Sequence, residues 1–415
     1  MSEGPRRVVL TGGGAVSPFG LGIGPLLEGL IAGRTAVRGS AEPDGAAREG
    51  AAGGGTPGPT ARVRDPLAAG AYDPNSWRRL DRCSRMAVLS AAQALAEAGA
   101  AEDAGIGVVL GTMTSGGEPL TDYLTTLVRE GPQAVSPMLF PFTVPNAPAS
   151  QCSILLGLKG PNLTLCQMEA SGLGAIATAA ALIRNGAADV LLAGGADEHP
   201  RALGEAWRRW RILARGGPGG SPGPFDRRAR GFAPGEGAYV VLLETEERAR
   251  ARGVRVWAEV AGAATAHAQG AAHRWPSDAS EPARAISQAL SRAGLLPADL
   301  GYVMAGANGA REVDRIEARS FLEAFGRVTR RIPVSGVKGA VGESGAGSAC
   351  GALVAALSIR DGFVPPLAGP ADPDPDLGLN LVVGTARHGP VGSVLVNALA
   401  TGGTCISLVL ARPRA

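Results

Sequence analysis

The stretch LTLCQMEASGLGAIATAAALI, residues 163 to 183, has the form of a nucleophile elbow. Leu163 to Gln167 alternate apolar with polar or small residues, Ala170 to Gly174 are small, and an apolar helix runs on from Ala175. A strand turning sharply into a buried helix projects one side chain at the helix N-terminus, where the dipole favours negative charge. Here that side chain is Glu169, and a carboxylate is a poor nucleophile. Cys166 lies three residues earlier, inside the strand, which disfavours it as a displaced nucleophile. The four histidines (His199, His267, His273, His388) sit in other segments and read as surface or loop residues.

Composition narrows what such a site can serve. With 45% hydrophobic and 19% charged residues, 415 residues can bury a large core, enough for two or three units or one duplicated unit. The net charge is only +3, and the basic runs WRRWR (207 to 211) and RVTRR (327 to 331) are short, so nucleic-acid binding is not indicated. The five cysteines are scattered without metal-type spacing and read as reduced, mostly buried thiols of a cytoplasmic protein. The N-terminus enters a strand directly instead of an apolar signal region. No apolar stretch reaches the roughly 18 residues of a membrane span, so no membrane partner is expected.

The elements that would position the elbow recur in two series. Strands are expected at 8–11, 107–111, 163–167, 190–193 and 239–244, then at 257–261, 302–305, 332–334, 393–397 and 406–411. Alanine-rich helices are expected at 84–98, 172–185, 282–293, 314–325 and 346–360. Alternating strands and helices argue for α/β layers, and continuous apolar strands for a sheet covered on both faces. The two series share an order of elements and break near Gly253, giving halves 1–253 and 254–415. Gly/Pro/Ala-rich stretches at 38–60, 216–224 and 365–378 read as loops.

Six ordered blocks then resemble the β-ketoacyl synthases of fatty-acid and polyketide synthesis. They are VVLTGGGAVSPFG (8–20), GLKGPNLTL (157–165) leading into the elbow, ADVLLAGGADE (188–198) and PFDRRARGFAPGEGAYVVLLE (224–244), followed by VSGVKGAVGESGAG (334–347) and NALATGGTCISLVLAR (397–412). The resemblance implies a thiolase-like α/β fold, two similar halves in a five-layer α-β-α-β-α architecture, forming a dimer across paired strands. In active members the elbow bears a cysteine that receives an acyl chain from an acyl carrier protein, and two histidines assist decarboxylation of the extender. Such chemistry needs a thiolate, imidazole donors and backbone amides. The cysteine position aligns with Glu169, the first histidine position with Asn308 and the second with Glu343, while the accompanying lysine is retained as Lys338. No catalytic residue is therefore expected, and condensation by this chain alone is improbable.

The glycine loops GFAPGEGA, GAGSACG and ATGGT nonetheless persist, so the fold is kept while its chemistry is removed. That combination resembles the chain length factor of type II polyketide synthases, the noncatalytic ketosynthase-like subunit. Members commonly carry glutamine at the elbow, and Glu169 departs from this. The shortened loop GANGAREVDRIEARSFLEAFG, 306 to 326, is similar to that group.

The resemblance implies a heterodimer with a catalytic ketosynthase and service by an acyl carrier protein whose phosphopantetheine bears the chain, with no cofactor or metal of its own. Asn162, Leu163, Thr164, Leu165, Cys166, Gln167 and Met168 would form the interface strand. Residues 114–148 would wall the acyl tunnel, with gate positions at Gly117, Leu120 and Leu124 or, in the other register, at Glu118, Thr121 and Thr125. Position 401, where the family's gating phenylalanine would stand, is Thr401. For Glu169 two readings stand: a carboxylate held by backbone amides and the helix dipole, with lowered pKa, or a salt bridge with Lys338. Some blocks look closer to fatty-acid ketosynthases, which leans toward a reducing, polyene-forming system. The rivals are a malonyl-carrier-protein decarboxylase and a stand-alone acyl-binding homodimer.

Overall fold

The computed structural model describes residues 6–39, 58–214, 223–269, 274–370 and 372–414. Most of the loops expected at 38–60 and 216–224, and His273, lie outside the described residues.

All ten expected strands form, most of them longer than the pattern suggested. The N-terminal five are Val8–Ser17, Gly107–Gly111, Asn162–Leu165, Val190–Asp197 and Gly237–Thr245; the C-terminal five are Ala258–His267, Tyr302–Ala305, Pro333–Gly336, Ser393–Leu399 and Thr404–Ala411. From the outer edge inward, the N-terminal order is third, second, fourth, fifth, first, and the C-terminal five repeat it. In each half the outer pairs are parallel and the inner pairs antiparallel. The duplication that the letters conceal is thus plain in the topology. Among the described residues, the strands of the two halves pair with each other through Val9 opposite Glu259 and Leu10 opposite Ala258.

Side-chain alternation sorts the strands into layers. Val109, Leu191, Val241, Met304, Val396 and Leu408 pack in one central core with the helices Ser171–Arg184 and Gly345–Asp361. Val108, Leu110, Leu192 and Val240 face the opposite way, onto the helix Arg82–Glu97. Val303, Leu395 and Val409 likewise pack with the helices Ser280–Ala293 and Arg311–Phe325. Helix, sheet, helix pair, sheet, helix: this is the expected thiolase-like five-layer architecture. The central pair packs closely because Gly172 has no side chain; a Cβ there would come within 2.8 Å of the Ala349 Cβ.

Two further helices bear on the site. Gly117–Glu130 buries only Pro119, and Arg201–Trp210 buries only Trp207. Among the described residues, no helix is long and apolar enough to cross a membrane.

Candidate functional site: a carboxylate elbow and an apolar groove

The strand Asn162–Leu165 ends in a sharp turn at Met168, whose φ of 51° is left-handed. A non-glycine residue holds that conformation only where its surroundings enforce it. Here Ser171 Oγ enforces it, accepting from the Gln167 N–H at 2.8 Å and lying 2.6 Å from the Met168 carbonyl oxygen. Glu169 follows in a single 3-10 turn before the helix Ser171–Arg184, at the place the sequence assigns to the elbow residue.

Glu169 is buried, and of the two sequence readings the backbone-amide one holds in part, while the salt bridge does not. Its carboxylate accepts from the Thr401 N–H at 2.9 Å and from the Thr401 hydroxyl at 3.0 Å. Burial, followed by the negative charge of Glu343, pushes its pKa up to about 7, which corrects the expected lowering. Hydrogen bonds and Lys338 act in the opposite sense, but desolvation wins. Lys338 is not its salt-bridge partner: the ammonium pairs with Glu343 at 2.8 Å, both side chains being almost wholly buried. Asn308 Nδ2 donates to the same carboxylate at 2.6 Å. The fold therefore gathers Glu169, Asn308, Lys338 and Glu343 behind the elbow.

A buried acidic belt surrounds them. Asp314 accepts from the N–H groups of Phe225 (2.7 Å), Asn308 (3.1 Å) and Gly309 (3.2 Å), and burial raises its pKa to about 7. Glu317 accepts from Gly306 N–H at 2.8 Å and from Asn397 Nδ2 at 2.7 Å, with its pKa raised to about 7 for the same reason. Asp197 ties the halves together, taking bonds from Met113 N–H, Thr114 N–H and Ala346 N–H at 2.7 to 2.8 Å. Sequence reading missed Asp197 and the Thr401 contact; a lone acid in a strand and a threonine in a glycine loop carry no period or spacing.

Cys166 is exposed beside the elbow, and desolvation followed by Asp197 pushes its thiol up, so little of it is thiolate. The other four cysteines are buried and unpaired by disulfides. His267 and His388 are exposed, as expected. His199 instead packs against Trp207, with ring centroids 6.0 Å apart.

The second feature is a groove of about 740 Å³ beside the helix Gly117–Glu130. Gly117, Leu120, Thr121, Leu124 and Thr125 all line it, so residues from both sequence registers meet the space. Glu118 does not line it; its carboxylate accepts from the Arg201 N–H at 2.8 Å and pairs with the Arg201 guanidinium, because it points across the helix toward the chain after Asp197. Thr121 and Thr125 hydroxyls donate to the carbonyls of Gly117 (2.7 Å) and Thr121 (2.6 Å), which leaves the wall without free hydroxyl donors from these two residues.

The third is an unpaired edge. Among the described residues, Asn162–Leu165 pairs with Gly107–Gly111 on one side alone, and Leu163 on it and Cys166 and Met168 just beyond it are exposed. Nine of the fifteen large exposed apolar side chains among the described residues fall in the segment between Leu120 and Met168.

Residues 5–249 match the N-terminal domain of the beta-ketoacyl synthase family, and residues 257–370 its C-terminal domain. The chain belongs to this family. The chain is 34% identical to 3-oxoacyl-[acyl-carrier-protein] synthase 2 of Rhizobium meliloti, over 98% of this chain and 99% of that protein. It is 32% identical to the tetracenomycin polyketide synthase ketoacyl synthase alpha subunit of Streptomyces glaucescens, over 99% and 98%. Among solved structures, the ishigamide ketosynthase/chain length factor superposes with a TM-score of 0.85 at 27% identity, covering 99% of this chain and all of that one. A beta-ketoacyl synthase from Burkholderia phymatum gives 0.88 at 28%, with the same coverage.

Proposed function

We propose that this member of the beta-ketoacyl synthase family is a noncatalytic chain length factor, which pairs with a catalytic ketosynthase and shapes the tunnel that sets product length. The observation that supports it most is the elbow: its projecting side chain is a buried carboxylate closed over by Thr401. A carboxylate so held cannot act as the thiolate that accepts an acyl group. Asn308 and Glu343, bonded to each other and the latter also to Lys338, offer no imidazole to an enolate oxygen. The catalytic cysteine and both histidines are, on this reading, replaced.

The remaining features suit a partner role. The edge strand, with Leu163 exposed on it and Met168 exposed just beyond it, offers a ketosynthase an edge and apolar side chains, and the groove lies beside a helix with exposed Leu120 and Leu124. The leucines and back-bonded threonines of the groove wall, which stand beside Ser115 and Arg129, suit a hydrocarbon-like stretch of chain, as a reducing, polyene-forming system would make. The chain itself would be carried on the phosphopantetheine of an acyl carrier protein, with no cofactor bound by this subunit.

Co-expression with the ketosynthase encoded nearest to this gene, followed by pull-down and assay with malonyl carrier protein, tests the proposal. A one-to-one complex that elongates while Glu169→Ala leaves the rate unchanged is expected. A chain that ignores the ketosynthase and pairs with itself would overturn the reading. So would carbon dioxide release from malonyl carrier protein by the isolated chain that is lost in Glu169→Ala.

A further inference from the structure

The groove has two walls from different parts of the chain. Leu120, Leu124 and Val128 come from the helix Gly117–Glu130, and Pro200, Ala202 and Leu203 from the start of the helix Arg201–Trp210. Burial does little to fix the first wall, since Pro119 is the one buried residue of its helix. Its first turn is held instead by polar contacts: Gly117 N–H donates to the Thr114 carbonyl at 3.0 Å and Glu118 N–H to Glu198 Oε1 at 3.0 Å.

Arg201 adds a bond that joins the two helices beside the groove. Its N–H donates to Glu118, and its guanidinium pairs with both Glu118 and Asp122. Those carboxylates stand four residues apart, one turn of helix, and so share a face. A planar guanidinium can bridge two acceptors in that arrangement, whereas an ammonium acts as a single point charge. The residue on either side of Arg201 lines the groove, so the pairing fixes how far one wall stands from the other.

We propose that Arg201 is a positioning residue: its strap to Glu118 and Asp122 sets the width of the groove and thereby acts on product length without touching the chain. The proposal rests on the groove being an acyl wall, as argued above. The strap is exposed, with 58% of the Arg201 side chain and 46% of Asp122 open to solvent. It is therefore weak and sensitive to salt, since screening shortens from about 10 Å at 0.1 M to about 3 Å at 1 M.

Hydrogen exchange on the isolated chain tests the strap itself. Arg201→Gln is expected to speed exchange of amides 120 to 128 about two- to five-fold, the range an exposed ion pair supplies. About 1 M salt should do the same to the wild type and nothing further to the variant. The charge-swapped pair Arg201→Glu with Asp122→Arg should restore slow exchange in part. In the complex with the ketosynthase, Arg201→Gln is expected to broaden the product distribution toward longer chains while pairing and total turnover stay unchanged. Unaltered exchange, or an unaltered distribution in a complex whose product length does respond to Leu124→Phe, would overturn the strap and leave the length-setting reading intact. Failure of the chain to pair would remove the acyl role of the groove and overturn the proposal in its length-setting sense, and exchange would still report whether Arg201 holds the helix.

Discussion

At the residue scale the elbow carboxylate makes the protein's stability depend on pH in an unusual direction. Glu169 has a pKa of about 7 in the folded chain, above the ordinary glutamate value. Below the ordinary value it is neutral in both states and costs nothing. As pH rises, the unfolded chain ionises first, so stability is lost progressively until the folded carboxyl also ionises near pH 7. Glu169→Gln keeps an oxygen to accept from Thr401 and removes the charge. The variant should gain on the order of 2 kcal/mol relative to wild type between about pH 5 and about pH 8, read from urea midpoints. An equal effect at both pH values would show that ionisation is not the cause. Lys338 and Glu343 behave differently, because each is buried with the other. Lys338→Met leaves a buried carboxylate uncompensated and should cost about 3–5 kcal/mol, and adding Glu343→Leu should recover much of that. The identity and place of Glu169, Asn308, Lys338 and Glu343 were readable from ordered motifs. The direction of the Glu169 shift was not, since it depends on burial among carboxylates from distant segments.

At the element scale the helix Gly117–Glu130 is where sequence and structure part. The resemblance left two registers of gate positions there, and the structure admits members of both. Only the tertiary placement of Arg201 turns Glu118 away from the groove. Leu124→Phe adds bulk to the lining and, in the proposed heterodimer, should shorten the product by one or more extender units. Its measurement is the product length profile by mass spectrometry, and an unchanged profile would remove Leu124 from the wall. The elbow is the contrasting case. Its strand, small residues and following helix were legible because strand alternation and a run of small residues are local features. The left-handed Met168 was not, since Ser171 and the neighbouring strand impose it.

At the scale of the whole molecule, the repeated strand order places an elbow strand at the outer edge of the N-terminal half. Edge strands present unpaired backbone groups that another chain can use. Leu163→Arg, on a side chain 41% exposed, should leave this chain's own thermal transition within about 0.5 kcal/mol, as surface changes do. It should abolish copurification with the ketosynthase. Retained pairing would place the interface elsewhere.

The sequence by itself determined the layers, the two series of strands, the elbow and the identity of the groups that occupy it, because periodicity, small-residue runs and ordered motifs are properties of neighbouring residues. The tertiary structure alone decided that Thr401 closes over Glu169, that Glu343 and not Glu169 takes Lys338, that Asp197 binds the halves, and that Arg201 straps the groove. Each of these joins side chains from separate segments of the chain. Their energies depend on burial and distance, which no local pattern encodes.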